Sequence, residues 1–161
     1  MSDWVKQLKA TDVKKLRLKN GNTVEKELKH HAAILADCIQ DELDKVYDSY
    51  VPIQYTRSYG LYNSLYIDDR IKIEIYSDGT NLAISICFDD GAIHESFSGE
   101  KVNTAILLNE GWQTHGSFSG VPYLGYRDGE HFVEVGIEKY KRTVNNPFTV
   151  KFTINNEERI F

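Results

Sequence analysis

A long amphipathic segment constrains the fold of this chain more than any other feature. Between Val24 and Tyr50, apolar residues recur at steps of three and four without a glycine or proline, which is the period of a helix with one buried face. Asn22, with Glu25 three residues later, is typical of a helix start, and Pro52 should end the helix. At 1.5 Å per residue the helix would be about 40 Å long. We therefore expect it to span a whole sheet or to reach a neighbouring molecule.

Alternating side chains further along predict a β-hairpin. Asp78-Gly79 supplies the positive φ of a tight turn between two short runs. Apolar residues occupy every second position of those runs, as in strands with one buried face: Ile71, Ile73 and Ile75, then Leu82, Ile84, Ile86 and Phe88. A closing strand over residues 148–154 should pair with one strand of this hairpin.

Two more helices are expected in the second half. A short one should cover residues 103–110 with Asn103 or Thr104 as its cap, and a second main helix should begin near Asp128. Two main helices on an antiparallel sheet of three or four strands make a two-layer α+β fold. The 161 residues fit a single domain. Its expected core includes Leu35, Ile39, Leu43, Ile73, Ile84, Ile86, Phe132 and Phe152.

Residues 111–129 are rich in glycine and aromatic residues, and we interpret them as a long exposed loop. The segment holds five glycines, two serines and one proline. A loop of this length in a compact domain favours a functional role over a mere connection. Its aromatic residues are candidates for a protein interface: Trp112, Phe118, Tyr123 and Tyr126.

Positive charge is concentrated at the start of the chain. Residues 1–20 hold six cationic and two acidic side chains, about +4, although the whole chain carries -5;. This segment either complements its own acidic body or docks as an arm on an acidic neighbour. Residues 20–22 (NGN) are interpreted as a hinge for such an arm, and Lys14, Lys15 and Arg17 as interface candidates. The acidic balance argues against a general nucleic-acid binder.

An aromatic stretch follows the long helix. Its tyrosines stand at steps of four, three and four: Tyr55, Tyr59, Tyr62 and Tyr66. They form either a stacking platform for bases or a stripe for packing or a protein interface. Arg57 is the only basic residue in the stretch before Arg70, which favours a stripe for packing or a protein interface over a platform for bases. Tyr55, Arg57, Tyr59 and Tyr62 are therefore further interface candidates.

The residues contain no recognisable chemical site, so we expect no catalytic, cofactor-binding or metal residues. His30 and His31 diverge on the long helix, and Glu27 with His31 lacks a third ligand at usable spacing, so a solvated helix face is expected there. There is no nucleophile-elbow or phosphate-loop motif. No apolar run approaches the roughly 20 residues of a membrane span. Cys38 and Cys87 are expected to be reduced, with burial as their default.

Three segments, in this order, resemble the tail-completion (neck or minor tail) proteins of long-tailed bacteriophages. After the long helix, Arg57, Leu61 and Ser64 match an Arg-x-x-x-Leu-x-x-Ser variant found in phages of Gram-positive hosts. Residues 106–111 (ILLNEG) are similar to the family's apolar-Glu-x-Gly segment. Residues 128–138 (DGEHFVEVGIE) lie where the family has a helix that starts around a Phe. The sequence departs from the family in lacking an Asp-Thr-Gly motif and a Pro before Phe132.

The resemblance implies a structural role without enzymatic activity or cofactors. Family members are virion proteins, made in the host cytoplasm, that take part in rings at the head–tail junction, with six subunits by resemblance. Implied partners are copies of the chain, a head–tail connector or stopper protein, and a tail terminator or tail-tube protein. DNA would pass through without being specifically bound, and no membrane is involved. The competing hypotheses are a small inhibitor or adaptor of one host protein, and an enzyme with a non-standard site.

Overall fold

In the computed structural model of this protein, the described residues form three helices and eight strands in the order α1, β1–β4, α2, β5, β6, α3, β7, β8. The structure describes residues 16–49, 71–77, 82–86, 88, 93–95, 101–118, 121–145 and 147–161. The helices are α1 (Val24–Asp48), α2 (Thr104–Glu110) and α3 (Phe132–Thr143). The strands are β1 (Ile71–Tyr76), β2 (Ala83–Ile86), β3 (Ile93–Glu95), β4 (Lys101–Asn103), β5 (Gly111–Phe118), β6 (Val121–Asp128), β7 (Thr149–Ile154) and β8 (Glu157–Ile160).

Side-chain caps place the starts of α1 and α2. The Thr23 hydroxyl accepts a hydrogen bond from the backbone N–H of Lys26, and Asn103 accepts one from Ala105 at 2.8 Å. Such bonds satisfy backbone donors that have no partner within the helix. The long helix thus starts within one residue of the prediction, with Thr23 rather than Asn22 as its cap, and Asn103 is the cap of the short helix among the two candidates, Asn103 and Thr104. The second main helix begins at Phe132 rather than near Asp128.

One antiparallel sheet of four strands, in the order β2-β1-β7-β8, forms the second layer. The predicted closing strand pairs with the central hairpin as expected, with Ile73 of β1 opposite Phe152 of β7. Strand β8 was not predicted. It returns alongside β7 after Asn155 and Asn156, which both have positive φ, as a tight two-residue hairpin turn requires.

The core lies between this sheet and the two main helices, which pack against each other. Seven of the eight expected core residues are buried, and the exception is Ile84, which is only partly buried. Ile84 lies on β2, an outer strand of the described sheet, so no described strand covers its outer flank. The largest fully buried side chains are Tyr140, Phe132, Phe152, Leu28, Leu35, Leu43, Ile73, Ile75, Ile137, Ile154 and Val133.

The prediction of a long loop at residues 111–129 is wrong, because most of this segment forms the β5–β6 hairpin. Eight residue pairs run from Gly111 opposite Asp128 to Phe118 opposite Val121. Glycine weakens a strand when it is considered alone. Here Gly116 stands opposite Tyr123 and Gly125 opposite Thr114, and tyrosine and threonine are strong strand formers. Pairing with these residues across the hairpin offsets the low strand propensity of the glycines.

Candidate assembly surface

The β5–β6 hairpin, like the shorter β3–β4 pair, forms a two-stranded sheet of its own among the described strands. Among the described strands, β5 and β6 pair only with each other, and their contacts with described helices are concentrated on α2. Eight residues of strand extend about 26 Å. Residues 111–126 contain no Asp, Glu, Lys or Arg. Isolated two-stranded hairpins are marginal in water, and charge usually protects exposed edges. This hairpin is therefore the strongest candidate for a surface that needs a neighbouring molecule.

The four aromatic interface candidates of segment 111–129 all lie on this hairpin. Trp112 is at its base, partly buried and packed against the hydrophobic core, so it anchors the hairpin rather than being displayed on it. Tyr126 is opposite Gln113, while Tyr123 and Phe118 lie towards the tip. The hairpin thus brings three of the candidates into one element beyond its anchored base.

A buried asparagine ties the base of the hairpin to α3. Asn109, at the end of α2, is 0% exposed. Its Oδ1 accepts a hydrogen bond from the backbone N–H of Val133 at 3.0 Å. Its Nδ2 donates to Glu110 and to Glu134, each at 2.9 Å. Since Glu110 immediately precedes β5, these bonds link the start of the hairpin to the first turn of α3.

The backbone closes the same junction. The N–H of Glu130 donates to the carbonyl of Leu108 at 2.9 Å, and the N–H of His131 donates to that of Asn109 at 3.1 Å. A Cβ atom on Gly129 would lie 2.2 Å from the Asn109 carbonyl oxygen, so the close approach requires glycine. The two segments of the family resemblance in this half, 106–111 and 128–138, meet here.

Arg159 of β8 completes a polar cluster with Glu110 and Glu134. Its Nη1 donates to Glu134, and its Nη2 lies 3.9 Å from Glu110 Oε2. With His131, the two carboxylates offer ligand atoms that all lie within 4.8 Å of one another, a spacing that suits a metal ion. The guanidinium, however, already supplies positive charge to both carboxylates. We therefore interpret the cluster as the structural anchor of the hairpin base.

The sequence did not predict that Arg159, Glu110 and Glu134 form a cluster. Arg159 is 25 residues from Glu134 along the chain, and β8 itself was not predicted. The sequence offers one local signal at this site, because Asn109 and Glu110 directly precede a glycine at the end of a predicted helix. That pattern indicated a boundary, but not the side chains that the fold would bring to it.

The basic N-terminal segment is described only from residue 16. Residues 16–23 form a closed turn in which Val24 N–H donates to the Leu16 carbonyl and Arg17 donates to the Gly21 carbonyl, both at 2.9 Å. Asn20 and Asn22 both donate to Glu27 of α1. The hinge interpretation of residues 20–22 is therefore wrong, because these hydrogen bonds hold the turn against the start of the helix. Arg17 itself is exposed.

Glu27 and His31 do not lie on a solvated helix face, contrary to the prediction. Both are buried. His31 Nδ1 is 2.7 Å from the hydroxyl of Tyr140, and the His31 ring packs edge-on against Phe148 at a centroid distance of 5.2 Å. Hydrogen bonds from Asn22 and Asn20 lower the pKa of Glu27, so its carboxylate stays ionised. His30, one residue away, is exposed.

Several candidates fall outside the described residues: Lys14, Lys15, Tyr55, Arg57, Tyr59 and Tyr62. Cys87 does as well. Cys38 is a buried free thiol, and burial raises its pKa. In the part of the chain that the structure describes, no helix is both long and apolar enough to cross a membrane.

Comparisons with protein-family models, with curated proteins and with solved structures found no match to this chain. The proposal of a function therefore rests on the hairpin and the residues that anchor it.

Proposed function

We propose that this protein is a structural subunit of a bacteriophage neck, which assembles with copies of itself and with other virion proteins at the head–tail junction. The observation that carries the proposal is the β5–β6 hairpin. It is uncharged from residue 111 to 126, pairs with no other described strand, and is anchored at one end by a buried hydrogen-bond network. A strand pair that is anchored at its base and pairs with no other described strand suits strand pairing with a neighbouring subunit;.

A ring is the assembly that this arrangement favours. An open hairpin edge that pairs with a different surface of the next copy makes a head-to-tail contact, and such contacts generate rings when the rotation closes. Six subunits follow from the family resemblance. The connector or stopper on one side, and the tail terminator or tail tube on the other, are likewise the partners that the resemblance implies.

The charge of the chain is compatible with DNA passage. A net charge of -5 repels the phosphate backbone and disfavours tight contacts with it. DNA would then move through the ring without being held. The described clusters contain no arrangement that calls for catalysis.

Disruption of the gene in the phage that encodes it tests the proposal. We expect DNA-filled heads and separate tails by electron microscopy, with complete particles restored when the protein is supplied in trans. An antibody against the protein should label the necks of intact virions. Normal virions from the disrupted phage would overturn the proposal. A stable monomer that captures one host protein would instead support the inhibitor hypothesis.

A further inference from the structure

A groove lies where the start of α1 meets the end of α3, away from the base of the hairpin. One cavity of about 640 Å³ is lined by Asn22, Lys26, Glu27, His30, His31, Ile34, Thr143, Val144 and Asn145. An adjoining cavity of about 510 Å³ shares residues 143–145 and extends to Lys141, Arg142, Phe148 and Phe161. Each is within the volume range of a ligand site. Because they share residues 143–145, we treat them as one groove.

Apolar side chains form part of the floor of this groove. Ile34 and Val144 are partly buried and pack against the core, and Phe148 is 5% exposed. Phe161 is also partly buried against the core in the second cavity. Such a floor offers a place for an apolar side chain, whose burial contributes about 25 cal/mol per Å².

The rim of the groove is cationic. Lys26 and Lys141 are exposed, and Arg142 is exposed and forms a surface ion pair with Glu138 at 3.0 Å. Glu27 is the acidic side chain among the described residues of the lining, and it accepts hydrogen bonds from Asn20 and Asn22. Among these described residues, three cations thus accompany one engaged carboxylate, in a chain whose net charge is -5. The local charge is opposite to that of the protein as a whole.

We propose that this groove binds an acidic peptide segment that carries an apolar anchor side chain, supplied by a partner protein. Carboxylates of the peptide would contact the rim while the anchor occupies the apolar floor. Three cations are fewer than the six to ten phosphate contacts typical of strong nucleic-acid binding, and the acidic body would repel a polyanion. A peptide fits the two adjoining cavities and their mixed cationic and apolar surface better. The inference does not depend on the neck proposal, because the groove fixes the partner's chemistry whether the partner is viral or cellular.

Fluorescence anisotropy with a short fluorescein-labelled peptide of alternating glutamate and leucine tests this inference. We expect saturable binding that weakens as salt is raised, because the rim charges are exposed. Replacing leucine by serine in the peptide should also weaken binding, since the anchor is lost. A single-stranded oligothymidylate of similar length should bind more weakly than the peptide.

Two double variants provide the matched comparison. Lys26→Gln with Lys141→Gln removes two rim charges and should weaken peptide binding roughly fivefold. Lys72→Gln with Lys101→Gln makes the same change of net charge outside the groove lining and should leave binding unchanged. Circular dichroism confirms that both variants fold. No binding of the glutamate–leucine peptide, equal effects of the two double variants, or preferential binding of the oligonucleotide would overturn the inference.

Discussion

His31 Nδ1 lies 2.7 Å from the Tyr140 hydroxyl oxygen, a hydrogen bond that joins α1 to α3 across 109 residues of sequence. Burial raises the pKa of Tyr140 and lowers that of His31. The phenol therefore keeps its proton and we assign it as the donor, with Nδ1 of a neutral imidazole as the acceptor. The contact thus links packing of the two main helices to the protonation of one histidine.

Stability should fall in acid because of His31. Its folded pKa is below the ordinary value of 6.5, so below pH 6.5 the unfolded state binds a proton that the folded state excludes. The loss begins as pH falls through 6.5 and ceases to grow below the folded pKa, with a slope of at most about 1.4 kcal/mol per pH unit. Urea unfolding from pH 8 to pH 5 measures it. His31→Gln should show a shallower dependence than wild type, and parallel curves would contradict the assignment.

Truncating Ile39 should lower the free energy of unfolding more than truncating most other core residues. It is 3% exposed on the face of α1 that packs in the core, so Ile39→Ala should lower the free energy of unfolding by about 2–5 kcal/mol. Ile84→Ala removes the same atoms from a partly buried position and should cost less. Denaturant unfolding compares the two. A cost below about 0.5 kcal/mol for Ile39→Ala would indicate that this face of α1 is wrongly placed.

Gly136 allows α3 to approach α1 closely. A Cβ atom there would lie 2.8 Å from the Ile39 Cα atom and 3.1 Å from its backbone nitrogen, so Gly136→Ala forces the helices apart. The strain should cost about 1–3 kcal/mol, partly offset by the roughly 1 kcal/mol better helix propensity of alanine. Thermal unfolding should therefore show a net loss. Val135→Ala, at an exposed position of the same helix, is the control and should change stability little.

Asn109 should be essential for the junction between α2 and α3. Asn109→Ala removes the acceptor for Val133 N–H and the donor to both carboxylates, at a cost of about 1–3 kcal/mol or more for the buried groups left unpaired. Asn109→Asp keeps an acceptor but places a third carboxylate beside Glu110 and Glu134. Because the neighbouring carboxylates raise the pKa of the new carboxyl, we expect the Asp variant to lose stability as pH rises above about 4, unlike the Ala variant. Similar pH dependence in both would contradict the proposed repulsion.

Shortening the hairpin should separate folding from assembly. Residues 115–124 can be replaced by Asn-Gly, which leaves the pairs from Gly111–Asp128 to Thr114–Gly125 in place and supplies a favoured two-residue turn. We expect thermal stability close to that of wild type and failure to restore complete virions in trans. Loss of the folded circular dichroism spectrum would show instead that the outer hairpin is required for the fold.

The sequence alone determined the elements whose signals are local. The period of the apolar residues placed α1 and the Asn103 cap placed α2, and the alternation in β1 and β2 placed the central hairpin. Each signal acts within a few residues, so it survives without knowledge of the fold. The same reasoning predicted the burial of Ile39 and Phe152.

Only the tertiary structure decided the features that depend on distant partners. Strands β5 and β6 look like a loop until each glycine is paired with a residue across the hairpin. His31 looks solvated until Tyr140 and Phe148 cover it. Arg159 has no evident role until β8 brings it to Glu134. For His31 and Arg159 the contacts join residues far apart in sequence, and for β5 and β6 they join two strands whose pairing the composition of each strand alone does not record;.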